Sequence, residues 1–243
     1  MSTSEQERLK GFLRISSGQT LYAGRPYKLL LIANPKGGVG KSSLAVLLAA
    51  FSGLEKLKFA DTDPQQSTKL AFEAMFGQVA TDNSQLVIAS FAALERVVRE
   101  SAGQNKQTIL VDTSAGLSPH EIAKVRVASL LLVPVSSSSV ELNAARKFIS
   151  SLQENNYPVP ILIVPNKIND NSDLLKIISV FRALPCMLAS PIPYDRRIEK
   201  LLADQHFPGE LANLREAAFP LIRSINNAIK SPYLPDSKLR QID

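Results

Sequence analysis

The stretch Pro35-Lys36-Gly37-Gly38-Val39-Gly40-Lys41-Ser42-Ser43 constrains the fold of this 243-residue chain more than any other. An aliphatic run, Leu29 to Ala33, leads into it, and a helix-forming run, Leu44 to Ala50, leads out. A glycine-rich turn between strand and helix lets backbone N–H groups close around a phosphate chain. The helix N-terminus behind it adds partial positive charge. In that arrangement Lys36, Gly37, Gly38, Val39, Gly40, Lys41, Ser42 and Ser43 form the cradle. Lys41 reaches the β- and γ-phosphates, and the Ser42 hydroxyl ligates the accompanying Mg²⁺. The expected ligand is a nucleoside triphosphate.

Two further strand ends supply the acids that phosphoryl transfer needs. Leu57-Lys58-Phe59-Ala60 runs into Asp61-Thr62-Asp63-Pro64-Gln65-Gln66-Ser67, and Thr108-Ile109-Leu110-Val111 ends in Asp112-Thr113-Ser114-Ala115-Gly116. Strand C-termini of an open α/β sheet deliver such groups to a single rim. Asp112 fits a carboxylate that holds Mg²⁺ and its waters, and Asp63 fits a loop residue that orients the attacking water.

One departure from the general phosphate-loop pattern is informative. The glycine expected five residues before Gly40 is replaced by Pro35, and a second lysine, Lys36, stands at the entrance. The arrangement Lys-Gly-Gly-x-Gly-Lys-Ser resembles the deviant Walker A motif of the ParA/MinD family of dimeric ATPases. Asp61-Thr62-Asp63-Pro64-Gln65 and the strand ending at Asp112 are similar to that family's first switch loop and Walker B strand. The resemblance spans about Lys28 to Lys230. It implies ATP and Mg²⁺ as ligands, with Ser42, Asp63 and Asp112 on the metal side and Lys36, Lys41, Asp63 and Asp112 as the catalytic set. It also implies that Lys36 crosses to the nucleotide of a partner copy. No glutamate adjoins Asp112 as a strong base, so unassisted turnover is expected to be slow.

Strand-like runs recur at Lys28–Ala33, Leu57–Ala60, Leu86–Ala89, Thr108–Val111, Leu130–Val135 and Pro160–Val164, with helix-like stretches at Gln66–Met75, Ala92–Ser101, Val140–Gln153 and Ser172–Arg182. Near-continuous apolar strands alternating with helices predict a single-domain, doubly wound α/β fold. Its sheet is mostly parallel with helices on both faces, the P-loop NTPase architecture of the deviant Walker A type. The expected division is an N-terminal extension over 1–27, an ATPase domain over 28–230 and a tail over 231–243. Glu5 to Ile15 has the pattern of a short helix, too short for a helix-turn-helix module. The chain therefore resembles the smaller ParA type.

Composition narrows the partners. Apolar runs fall short of the roughly 18 residues of a membrane span, and Met1 to Glu7 lacks a secretory pattern. A cytoplasmic, nucleoid-associated protein is expected. The tail Ser231-Pro232-Tyr233-Leu234-Pro235-Asp236 cannot form the C-terminal amphipathic helix by which MinD meets membranes, because two prolines break it. A single cysteine, Cys186, excludes an internal disulfide and a cysteine-held cluster within the chain; its apolar surroundings indicate a core position. A net charge of +6 and a pI near 9.4 favour an anionic partner, nucleic acid first, although a solvated surface carries such charge too. Arg196, Arg197 and Lys200 are interleaved with acids. Among Arg215, Arg223 and Lys230, Pro220 is expected to interrupt the helix, leaving only the last two in register.

Pro165-Asn166-Lys167-Ile168-Asn169-Asp170 resembles a base-binding loop. A GTPase would place an aspartate at position 169, and here it falls one residue late, so ATP is favoured over GTP. The resemblance assigns adenine contacts to Asn166 and to the loop containing Pro191 and Pro193. The expectation is a ParA-type partition ATPase that forms a homodimer on ATP, binds non-specific DNA, and is stimulated by a ParB-like centromere-binding partner. Two alternatives stay open: positioning of a protein assembly or organelle such as a carboxysome, and a dethiobiotin-synthetase-like ligase on the same fold.

Overall fold

The computed structural model describes residues 27–51, 57–71 apart from 65, 67 and 70, 86–88, 94, 107–125, 128–198 and 211–230. The expected extension and tail, most of the helices foreseen at Gln66–Met75 and Ala92–Ser101, and Lys200 lie outside these residues.

Among the described residues seven strands form one sheet: β1 (Tyr27–Ile32), β2 (Leu57–Asp61), β3 (Leu86–Ile88), β4 (Gln107–Asp112), β5 (Leu130–Val135), β6 (Ile161–Pro165) and β7 (Met187–Leu188). Their order is β3-β2-β4-β1-β5-β6-β7, and every pairing is parallel. The aliphatic runs are explained by burial on both faces. Every residue of β5 and β6 is enclosed.

The chain winds from β1 outward to β3, returns to insert β4 beside β1, and then crosses to β5 and beyond. Right-handed crossovers in opposite directions put helices on opposite faces. On one face α1 (Lys41–Phe51) and α5 (Leu211–Lys230) cover Leu30, Ile32, Leu110, Leu132 and Leu162. On the other, α2 (Pro119–Lys124), α3 (Ser139–Glu154) and α4 (Asn171–Phe181) cover Leu29, Leu31, Ile109, Val111 and Ile163. The doubly wound expectation holds. Cys186 sits in the second of these cores, and burial pushes its thiol up to about 12.

Local signals place the helix ends. Ser118 caps α2 reciprocally with Glu121, with Pro119 in the first turn. Asp170 caps α4 by accepting from the backbone N–H groups of Ser172 and Asp173. In α3, Leu142, Ala145, Phe148, Ile149 and Leu152 are the buried stripe.

α5 corrects the expectation about Pro220. The helix runs unbroken from Leu211 to Lys230 with Pro220 inside it. Its buried stripe is Leu214, Ala218, Leu221, Ile225 and Ala228, while Pro220 is exposed. A proline on the solvent side presses its ring into water rather than into the sheet, and packing of the opposite face holds the helix across the lost N–H bond. Ser224 Oγ donates 3.0 Å to the Pro220 carbonyl. Arg215, Arg223 and Lys230 are consequently on one continuous helix, all exposed, with Phe219 (62% exposed) between them.

Candidate nucleotide site

Parallel register sets the level of the acids. Asp112 pairs with Ile32 across β4 and β1 and with Asp61 across β4 and β2, so both carboxylates end their strands where β1 enters the glycine loop. This rim is the crevice where the winding direction reverses, the usual ligand position in open α/β sheets.

The loop is anchored at its entrance by Asn34, which is 2% exposed. Its Oδ1 accepts from the Lys36 N–H at 2.9 Å, and its Nδ2 donates to the Pro134 carbonyl at 2.8 Å. β1 pairs with β5 only as far as Leu132, and the Asn34 side chain takes over the bonding beyond. The Gly116 N–H donates to the Pro35 carbonyl at 3.1 Å, tying the loop to the segment after Asp112. Gly38 and Gly40 adopt φ of +77° and +92°, where a side chain would be strained. Gly40 has a second reason to be glycine: a Cβ there would collide with Nδ2 of Asn166.

Lys41 opens α1 and is buried, its Nζ donating 3.0 Å to the Lys36 carbonyl. Burial lowers its pKa, and the carboxylates of Asp112 and Asp63 oppose the shift. Ser42 and Ser43 follow in the first turn, partly exposed, and the Lys36 side chain is exposed at the loop mouth.

Asp112 is 0% exposed. Oδ2 accepts from Thr68 Oγ1 at 2.5 Å, while Oδ1 is enclosed without a hydrogen-bond partner. Burial is the main reason its pKa rises to about 6; nearby hydroxyls of Thr68 and Ser42 resist the rise, Asp61 adds to it, and Lys41 opposes it. Asp61, also 0% exposed, accepts from the N–H groups of Asp63 (2.9 Å) and Lys69 (3.1 Å), and burial raises its pKa. It thereby shapes the turn that carries Asp63, which is half-buried near Lys41.

An enclosed, unpartnered carboxylate oxygen beside a serine hydroxyl fits a divalent cation. Among the described residues no group of three or more His, Cys, Asp or Glu could hold a metal unaided. Oxygens of phosphate and water would complete the shell, as magnesium prefers.

Asn166 follows β6 and is 4% exposed. Its Nδ2 donates 2.9 Å to the Val39 carbonyl, so part of its amide supports the glycine loop. The next loop is zipped to it: Ile168 N–H donates to Ile192 O (3.1 Å) and Tyr194 N–H to Ile168 O (2.9 Å), with Pro191 and Pro193 exposed alongside. Asp173 accepts from the backbone N–H and the Nδ2 of Asn169. Asp170 is committed to the α4 cap, and the hydroxyl of Ser172 leads the interactions holding its pKa low.

The fold therefore gathers Lys36, Lys41, Ser42, Asp63 and Asp112 on one rim, with Asn166 against the loop and Pro191 and Pro193 on the neighbouring loop. Sequence reasoning missed Asn34, Asp61 and Thr68. Asp61 was visible within Asp-x-Asp, whereas Asn34 and Thr68 act on residues distant in sequence and carried no signal of their own. In the basic cluster, Arg197 is paired bidentately with Asp195, Nε donating to Oδ1 and Nη2 to Oδ2. No described helix is long and apolar enough to cross a membrane.

Residues 30–208 match the sequence profile of the CobQ/CobB/MinD/ParA nucleotide binding domain. No curated protein matches the chain by sequence. Among solved structures, the chain is similar to the septum site-determining protein MinD of Pyrococcus horikoshii OT3, complexed with Mg-ADP (16% identity, 82% of this chain and 96% of that one, TM-score 0.62). A plasmid partition protein of Borrelia burgdorferi B31 bound to AMPPNP shares 16% identity over 82% and 98%, TM-score 0.62. Apo McdA of Cyanothece shares 18% over 83% and 99%, TM-score 0.59. At these identities the likeness is one of fold.

Proposed function

Because this chain belongs to the CobQ/CobB/MinD/ParA nucleotide-binding family, we propose that it is an ATP-dependent dimerising switch that partitions plasmid or chromosomal DNA. The observation that carries the reading is the glycine loop closed over Lys41 beside an enclosed, unpartnered oxygen of Asp112, with Lys36 exposed at the mouth.

Loop N–H groups and Lys41 hold the triphosphate. Ser42 and Asp112, with Asp63 on the same side, would hold Mg²⁺, which when bound would neutralise charge on the β- and γ-phosphates. Asp63 orients the attacking water. Asn166, Pro191 and Pro193 flank the base, and commitment of Asp170 to a helix cap removes the carboxylate a guanine would need, which favours ATP. Lys36 of each copy reaches the nucleotide of the other, so occupancy drives two copies together. Dimer closure doubles the exposed basic stripe of Arg215, Arg223 and Lys230, which binds DNA phosphates without reading sequence. Hydrolysis is slow alone and accelerated by a ParB-like centromere-binding partner, and it returns the chain to monomers that leave DNA on the nucleoid.

Retention on a random-sequence duplex tests this reading. Wild type should bind only with ATP and Mg²⁺, and affinity should fall on the order of a thousandfold between 50 and 200 mM salt for about six phosphate contacts. Lys41→Ala should not bind. Equal retention with and without nucleotide would refute the switch.

A further inference from the structure

The two oxygens of the Asp112 carboxylate are in different situations. Oδ2 accepts a 2.5 Å hydrogen bond from Thr68 Oγ1, and Oδ1, equally enclosed, accepts none. Thr68 is 0% exposed and lies 44 residues before Asp112, in the segment after β2 that also carries Asp63. That segment is pinned on both sides of Asp63. The Asp61 carboxylate takes the N–H groups of Asp63 and Lys69, and Thr62 Oγ1 donates 2.9 Å to the Asp112 carbonyl. The Lys69 bond holds the backbone next to Thr68, whose hydroxyl reaches Oδ2.

An unsupported aspartate rotates broadly about its last torsion and presents either oxygen. We propose that Thr68 is a positioning residue for the metal: by engaging Oδ2 it fixes the plane of the Asp112 carboxylate and reserves Oδ1 for Mg²⁺ or a water of its shell. This rests on the reading of the rim as a nucleotide–magnesium site. It assigns a second job to the segment carrying Asp63, which sets the metal carboxylate as well as the water. Partners of this kind orient ligating groups, and their loss weakens metal affinity about 10–100-fold.

The test separates the metal from the nucleotide. Binding of AMPPNP to the full chain is measured by calorimetry in EDTA and across a Mg²⁺ titration, for wild type, Thr68→Val and Thr68→Ser. Valine keeps the shape and removes the hydroxyl. Thr68→Val should bind AMPPNP in EDTA as wild type does, yet need about 10–100 times more Mg²⁺ to reach full affinity. A Mg²⁺ requirement equal to that of wild type would overturn the proposal. So would an equal loss of affinity in EDTA, because Thr68 would then be a strut for the whole loop. Serine retains the donor, so Thr68→Ser should keep the wild-type requirement; a shift of about tenfold or more in that variant would overturn the proposal even if the valine variant does not fold. A wild-type chain whose AMPPNP affinity ignores Mg²⁺ would instead refute the nucleotide–magnesium reading together with this one.

Discussion

Replacing Asp112 with asparagine should make the nucleotide-free protein more stable. The wild-type carboxyl is 0% exposed, and its pKa rises from 3.8 to about 6. A folded-state pKa above the unfolded one means that the fold binds the proton more tightly. Stability from this group is therefore greatest at low pH, falls as pH rises from about 4 to 6, and stays lost above that. A rise from 3.8 to about 6 corresponds to roughly 3 kcal/mol of charging cost at pH 7.5. Asparagine removes the charge and keeps an acceptor for Thr68, but it encloses an amide N–H pair where Oδ1 stood, at about 1 kcal/mol. The net gain is about 2 kcal/mol at pH 7.5, or roughly 4–8 °C in Tm for a chain of this size. At pH 5 the wild type is largely protonated and about half of its charging cost is gone, so the gap between the proteins should narrow by roughly 1.5 kcal/mol. Urea unfolding of both proteins at the two pH values reads this directly. Adding AMPPNP and Mg²⁺ should then stabilise wild type, by about 2.7 kcal/mol at a hundredfold excess over Kd, and the variant far less. A variant less stable than wild type at pH 7.5, or a gap that does not change with pH, would refute the claim that Asp112 is held charged at a cost for the sake of its ligand.

Further expectations follow from the same geometry. Gly40→Ala places a Cβ at φ +92° against Asn166, so it should lower stability by about 1–3 kcal/mol and abolish nucleotide binding, read by thermal unfolding with and without AMPPNP. Lys36→Ala removes an exposed side chain, so stability should stay within about 0.5 kcal/mol. AMPPNP affinity, measured by calorimetry, should persist, while the nucleotide-dependent dimer disappears on a sizing column. Replacing Arg215, Arg223 and Lys230 together with alanine should flatten the logarithmic salt dependence of DNA binding by about 2.7 per copy if each neutralises one phosphate, as measured by fluorescence anisotropy.

The glycine loop and the two acid-bearing strand ends were legible because they are local: a glycine turn between an apolar strand and a helix, and aspartates that end aliphatic runs. β1, β5 and β6 were legible for the same reason, since strands buried on both faces read as unbroken aliphatic stretches. β7 was not, as Met187 and Leu188 alone carry no period. Pro220 misled because propensity weighs a residue without its surroundings. The stripe from Leu214 to Ala228 buries enough apolar surface to hold the helix across one missing bond. The supports of the site were hidden for a different reason. Asn34 bonds a carbonyl 100 residues away and Thr68 a carboxylate 44 residues away, and such pairs exist only once the strand order β2-β4-β1-β5 is known. The resemblance assigned Asn166 to the base, but its bond to Val39 and its fit against Gly40 needed the fold.

The molar mass of the chain in solution, by light scattering with and without AMPPNP and Mg²⁺, bears most directly on whether occupancy of the loop clasps two copies together. The account predicts about 26.5 kDa without nucleotide and twice that value with it. The same mass under both conditions, with AMPPNP demonstrably bound, would contradict it.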